Sequence, residues 1–214
     1  MGRTRVKICG IRSAEHALAA VDAGADAVGF VFVEDSPRAI EPEDAAEILV
    51  ALPAFVSSVA LFRDPDPDVF AEIESVCPTT HTQLHGDESE ALVGACGPAI
   101  KAIRFDGATI AQELVRWAAC ADVDAMLVDG SAGGAGTTLD WHALRRAVDE
   151  AKPEKPVILA GGLTPENVGE AIAIVRPYAV DVSSGVERSR GEKDVGLIAA
   201  FCRAVRRADV QLEG

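Results

Sequence analysis

Short apolar runs rich in β-branched residues alternate along the chain with longer stretches whose apolar residues recur every three or four positions. The runs begin near residues 5, 27, 56, 80, 99, 125, 156 and 179, and their length and composition predict strands. The stretches between them predict amphipathic helices. Behind Thr164 as N-cap and Pro165 as first helical residue, Val168, Ala171, Ile172 and Val175 form one stripe. Ala45, Ile48, Leu49 and Leu52 repeat that spacing after Pro42, and Ala14, Ala17, Leu18 and Val21 do so after Ser13. Near the C-terminus Val195, Ile198, Phe201, Cys202 and Val205 repeat it again.

Eight strand-then-helix units with no break in composition imply parallel strands, since every connection is a helical crossover. The expected architecture is α/β, a single-domain (β/α)8 TIM barrel spanning residues 1–214. An open doubly wound sheet would carry a glycine-rich dinucleotide fingerprint at its first turn, and Cys9-Gly10-Ile11-Arg12-Ser13 is not one. A length of 214 residues lies at the small end of the range for such barrels.

Composition narrows the partners. Asp and Glu number 34 against 20 Lys and Arg, a net charge of −14, which repels nucleic acid and anionic membrane. No apolar run reaches the roughly 18 residues of a membrane span, and no apolar leader follows Arg3, Arg5 and Lys7. Five cysteines without paired spacing fit reduced thiols in a cytoplasmic protein. Dense acids, only five lysines and a core of small aliphatic residues favour a halophilic surface, adapted to molar salt, over an ordinary acidic enzyme. The sequence leaves monomer and homodimer both open.

Candidate chemistry sits at strand ends. In Lys7-Ile8-Cys9-Gly10 the side chains alternate, so Val6 and Ile8 should meet the helices while Lys7 and Cys9 enter the barrel. A neighbouring ammonium lowers a thiol pKa and favours a thiolate base, although a lone cysteine is commonly plain packing. Cys77, Cys96, Cys120 and Cys202, in helices or at their ends, are expected to be packing. Asp129 closes the apolar run from Ala125 to Val128, where a carboxylate needs a partner. The glycine-rich stretch 131–138 after it predicts a mobile or tightly turned loop over the mouth. It lacks the lysine of a nucleotide-binding P-loop.

Gly161-Gly162 ends the seventh strand, and Asp181-Val182-Ser183-Ser184-Gly185-Val186-Glu187 ends the eighth. Loops at these two places, with a short extra helix, recurrently hold phosphate in such barrels. On the fourth strand His81, Gln83 and His85 share a face. They suit a polar layer or a substrate hydrogen bond better than a metal, for want of a carboxylate or thiol at ligand spacing. Arg38, on the loop after the second strand, suits a planar carboxylate.

Six stretches together resemble phosphoribosylanthranilate isomerases: residues 7–11, 24–32, 83–86, 133–141, 161–168 and 180–187. The resemblance implies a cofactor-free and metal-free barrel acting on a small phosphorylated substrate in tryptophan biosynthesis. It implies Cys9 as base, Asp129 as acid, and Arg38 at the anthranilate carboxylate. It also implies phosphate at Gly161, Gly162, Ser183, Ser184 and Gly185. Beside it, Gln83, His85 and Asp181 are further substrate-binding candidates. The loop after Asp129 is shorter than in many relatives, and Thr137 stands where a basic residue is expected. Two alternatives differ in nameable features. The sister isomerase of histidine biosynthesis typically carries aspartate in place of Cys9 and needs a second phosphate site. A non-catalytic phosphate-binding barrel would be expected to have lost Cys9 or Asp129.

Overall fold

The computed structural model describes residues 2–130 and 139–213. Eight strands run in parallel: β1 (Arg5–Cys9), β2 (Ala27–Val31), β3 (Ser57–Phe62), β4 (His81–Leu84), β5 (Ala99–Arg104), β6 (Val123–Asp129), β7 (Val157–Leu159) and β8 (Ala179–Val182). Each pairs with the next, and β8 pairs back to β1 with Lys7 opposite Asp181, so the sheet closes into a barrel. The helices are α1 (Ala14–Asp22), α2 (Pro42–Ala51), α3 (Pro67–Val76), α4 (Glu90–Cys96), α5 (Ile110–Ala119), α6 (Trp141–Ala151), α7 (Val168–Val175) and α8 (Val195–Glu213). The expected (β/α)8 architecture is the one observed, with β6 starting two residues earlier than the apolar run suggested.

Two apolar layers follow from strand alternation. Outward residues such as Ile8, Val28, Phe30, Phe62, Leu84, Met126 and Val180 pack against Ile48, Leu114, Leu144, Ile172 and Phe201 of the helices. Inward residues Val59, Ile100, Ala102, Ala125, Leu127, Ile158, Ala160 and Ala179 form a separate plug inside the barrel. Removing a fully buried side chain of the outer layer, as in Phe201→Ala, costs about 3–5 kcal/mol by transfer and cavity terms. Above the plug, toward the C-terminal ends of the strands, the inward positions turn polar: Lys7, Gln83, Asp129 and Asp181 are all buried.

Two local expectations need correction. Thr164 is not the N-cap of α7; the regular helix starts at Val168, after a turn. The Thr164 carbonyl accepts from both Asn167 N and Val168 N, so the chain makes one tight turn before settling into α-geometry. The stripe after Ser13 is rotated, with Ala17 and Ala20 buried while Leu18 is exposed. The loop between β8 and α8 carries the short extra helix as a 3-10 turn (Ser184–Val186), and adds a hairpin of β9 (Glu187–Ser189) with β10 (Glu192–Lys193) that has no sequence signal. Residues 131–138, the expected loop over the mouth, lie outside the described residues, as does Thr137.

Candidate active site

Strand β1 delivers the thiol. Val6 and Ile8 join the helix-facing layer, which leaves Lys7 and Cys9 inside the barrel. Lys7 Nζ donates to Asp181 Oδ1 at 2.7 Å, with both side chains under a tenth exposed. The ammonium acts on the thiol in the expected direction, but burial outweighs it. Burial pushes the Cys9 thiol up, the Lys7 ammonium pulls it down, and Asp181 pushes it up again, leaving it above the ordinary thiol value. Lys7 remains protonated, because Asp181 and Cys9 together outweigh its burial.

Strand β6 delivers the carboxyl. Asp129 is buried at the end of the strand, with His85 Nε2 3.3 Å from its Oδ2. Gln83 Nε2 lies 3.0 Å from His85 Nδ1. With the amide nitrogen donating there, the ring proton resides on Nε2 and faces Asp129. Gln83 is fully buried and lines the cavity, whereas His81 is exposed, so the three residues of that face do not converge. Among the described residues no group of three or more His, Cys, Asp or Glu could hold a metal ion. Gly161 touches the same carboxyl: at φ +87° it is strained for any L side chain, and a Cβ would sit 2.6 Å from Asp129 Oδ1.

One cavity at the C-terminal ends of the strands is lined by Cys9, Gln83, His85, Asp129 and Asp181 together with Arg38, Gly161, Gly162, Ser183 and Ser184. The expected site residues are therefore brought together, except that Gly185 lies behind the wall. A Cβ on Gly185 would fall 1.9 Å from Leu163 O, so a glycine there lets the two loops pack closely. Asn167 shapes the same region, donating from Nδ2 to Gly162 O at 2.9 Å and accepting at Oδ1 from Thr164 N at 2.7 Å. Ser183 Oγ donates to Cys9 O at 3.0 Å, tying the end of β8 to the end of β1.

Arg38 is not a solvated loop charge. It is buried, and its Nε and Nη2 donate to Glu187 Oε1 and Oε2 at 2.7 and 3.0 Å. Gly10 makes space for it, since a Cβ there would meet Arg38 Cδ at 2.7 Å. Glu187, Lys193 and Asn167 were not singled out from the sequence. Glu187 and Asn167 fall within stretches quoted for the resemblance, but nothing in their spacing named a partner. A further buried pair, Lys101 with Glu88 at 2.8 Å, sits between strand and helix layers beside Trp117 and is structural.

Fold and site together define a (β/α)8 barrel with a thiol and a carboxyl facing one mouth that carries polar loops, the layout of a barrel enzyme. The model of the N-(5'-phosphoribosyl)anthranilate isomerase family matches residues 6–204, and the chain belongs to that family. The N-(5'-phosphoribosyl)anthranilate isomerase of Moorella thermoacetica is 51% identical over 210 residues, covering 96% of this chain and 91% of that protein. The crystal structure of the phosphoribosyl anthranilate isomerase from Thermotoga maritima superposes with a TM-score of 0.86 at 39% identity, covering 95% of this chain and 99% of that one. Another phosphoribosyl anthranilate isomerase structure holds reduced 1-(o-carboxyphenylamino)-1-deoxyribulose 5-phosphate. It superposes with a TM-score of 0.84 at 38% identity, over 95% of this chain and 99% of that one. Among the described residues no helix is long and apolar enough to cross a membrane.

Proposed function

We propose that this protein converts N-(5-phospho-β-D-ribosyl)anthranilate to 1-(2-carboxyphenylamino)-1-deoxyribulose 5-phosphate, the Amadori step of tryptophan biosynthesis. The observation that carries the reading is that Cys9 and Asp129, from opposite halves of the chain, line one cavity with the glycine and serine loops and Arg38. Asp129 in its acid form donates a proton to the furanose ring oxygen, and the C1′–O bond breaks to leave a Schiff base. Cys9 in its thiolate form removes the C2′ proton, and the C–H electron pair forms an enolamine. The enolamine tautomerises to the ketone, so every step moves a proton and none requires an external oxidant or reductant.

Positioning is shared between the two ends of the substrate. Gly161, Gly162, Ser183, Ser184 and Gly185 hold the phosphate, and Gly185 also allows the two loops to pack closely. Arg38 takes the anthranilate carboxylate, and Asp181, Gln83 and His85 lie between these ends, where the ribose hydroxyls pass. We place the protein in the cytoplasm as a monomer or homodimer, and read its acidic surface as adaptation to high salt.

The test is a fluorescence assay following loss of phosphoribosylanthranilate formed in situ. Turnover is expected with the wild-type protein and is expected to collapse in Cys9→Ala and Asp129→Asn. A folded wild-type protein that consumes no phosphoribosylanthranilate overturns the reading.

A further inference from the structure

The hairpin β9–β10 contributes a carboxylate that the reaction itself does not use. Glu187 has a side chain only 4% exposed, and its two oxygens receive four donors. Oε1 accepts from Arg38 Nε at 2.7 Å and Lys193 Nζ at 2.8 Å. Oε2 accepts from Arg38 Nη2 at 3.0 Å and Gly191 N at 3.1 Å. Lys193 Nζ also donates to Ser183 O and Oγ at 3.0 and 3.1 Å. Ser183 Oγ in turn donates to the carbonyl of Cys9. Hydrogen bonds thus run without a break from the loop bearing Arg38, through the hairpin, to the serine loop and the strand of the thiol.

Backbone packing locks the same joint. Gly191, at φ +84°, turns the hairpin so tightly against the loop after β2 that a Cβ would lie 2.3 Å from Pro37 O. Burial pushes the Glu187 carboxyl up, but Arg38 and Lys193 more than compensate and hold it below the usual carboxylate range. It therefore stays ionised wherever the protein works. Burial, with Arg38 nearby, lowers the Lys193 ammonium, and Glu187 opposes that shift. Apolar residues of similar volume generally stabilise at least as well as a buried ion cluster, so packing alone does not call for this one.

We propose that Glu187 is a positioning residue that aims Arg38 at the substrate carboxylate and, through Lys193, fixes the distance between that anchor and the serine loop at Ser183. This rests on the reading of Arg38 given under Proposed function. The guanidinium is held at Nε and Nη2, so Nη1 and the second proton of Nη2 remain to meet a ligand, already oriented before it arrives. Pre-orientation of this kind removes an ordering cost from binding and makes the site selective for a planar anion at a set distance from the phosphate.

The experiment compares kcat/KM for phosphoribosylanthranilate with that for phosphoribosylaniline, which lacks the carboxylate, in wild type, Arg38→Ala, Glu187→Gln, Glu187→Asp and Lys193→Met. A charge-assisted hydrogen bond lost at Arg38 corresponds to roughly 10–150-fold in kcat/KM, so Arg38→Ala should remove preference on that scale. In Glu187→Gln an amide NH2 confronts donors where an oxygen stood. The loss should fall at least ~10-fold more heavily on phosphoribosylanthranilate than on the aniline analogue. Glu187→Asp, which keeps the charge, should recover part of the preference. Lys193→Met should raise KM for both substrates by loosening the serine loop.

Full preference retained in either folded Glu187 variant while Arg38→Ala loses it would overturn the proposal and leave Glu187 as packing. Preference retained in Arg38→Ala would instead overturn the Arg38 reading, and point to Arg63, Arg104 or Arg190 on the same cavity wall. If Glu187→Gln does not fold, Glu187→Asp decides alone. Its preference must fall below that of wild type, because the shortened side chain cannot span both nitrogens of Arg38.

Discussion

Gly29 stands in register with Cys9 on the neighbouring strand and leaves the space its thiol occupies. A Cβ at Gly29 would lie 3.0 Å from Cys9 Sγ and 3.2 Å from Lys7 Nζ, closer than side chains normally approach. Gly29→Ala is therefore expected to push the thiol and the ammonium aside by a few tenths of an ångström. Misplacement of ~1 Å costs on the order of 100-fold, so a loss of roughly 10-fold in kcat is expected, with the fold retained. Steady-state kinetics beside a thermal melt check it. Wild-type kcat in the variant would mean that the thiol relaxes freely.

Cys9 and Asp129 carry the proton transfers in the proposed reaction. General acid and base groups contribute about 10²–10⁴-fold each, so Cys9→Ala and Asp129→Asn should each lower kcat on that order with modest change in KM. Single-turnover rates should be measured alongside, because slow product release in the wild type would mask part of the loss. A variant that keeps near wild-type chemistry in a single turnover loses its assigned role.

The thiol also sets a pH dependence. Cys9 must lose its proton to act as base, and burial, aided by Asp181, holds that proton more tightly than an ordinary thiol does. The fraction of thiolate therefore grows with pH throughout the neutral range. The value of kcat/KM, which reports ionisations of the free enzyme, should still be rising as pH passes about 8.5, the ordinary thiol value. Lys7 opposes the shift, so Lys7→Met should move the rising limb to higher pH and lower activity near neutrality. A plateau already reached near neutral pH would show that another group limits the rate.

The architecture and the thiol and carboxyl that face the cavity were legible in the chain because both rest on local pattern. Alternation alone sent Lys7 and Cys9 inward, and a carboxylate ending an apolar run drew attention to Asp129. What the pattern could not give were partners set by closure of the barrel. Asp181 meets Lys7 only because β8 pairs back onto β1, 174 residues away in sequence, and it adds to the burial that raises the thiol. The Arg38–Glu187 fork joins residues 149 apart through a hairpin too short to carry periodicity. Thr164 misled for a local reason: it caps a turn, and Asn167, which begins the helix, spends its side chain on Gly162 O and Thr164 N.

Salt provides the last test, and it rests on surface charge rather than on the site. Net charge is −14, and acids cluster at single elements: Glu41, Glu43, Asp44 and Glu47 are all exposed at or along α2. Glu43 and Glu47 are one helical turn apart, where like charges repel. The screening length is about 30 Å at 0.01 M salt, long enough for most surface carboxylates to feel one another, and about 3 Å at 1 M. Tm should therefore climb steeply between about 0.01 and 0.2 M KCl as repulsion in the compact state is screened. Beyond that range screening has little left to give, and further gain must come from hydration or exclusion effects at the acidic surface. A surface adapted to molar salt should keep raising Tm up to about 3 M KCl, as melts across that series would record. A curve flat above ~0.3 M would account for all of the gain by screening, and would remove high-salt adaptation from the explanation of the acidic surface.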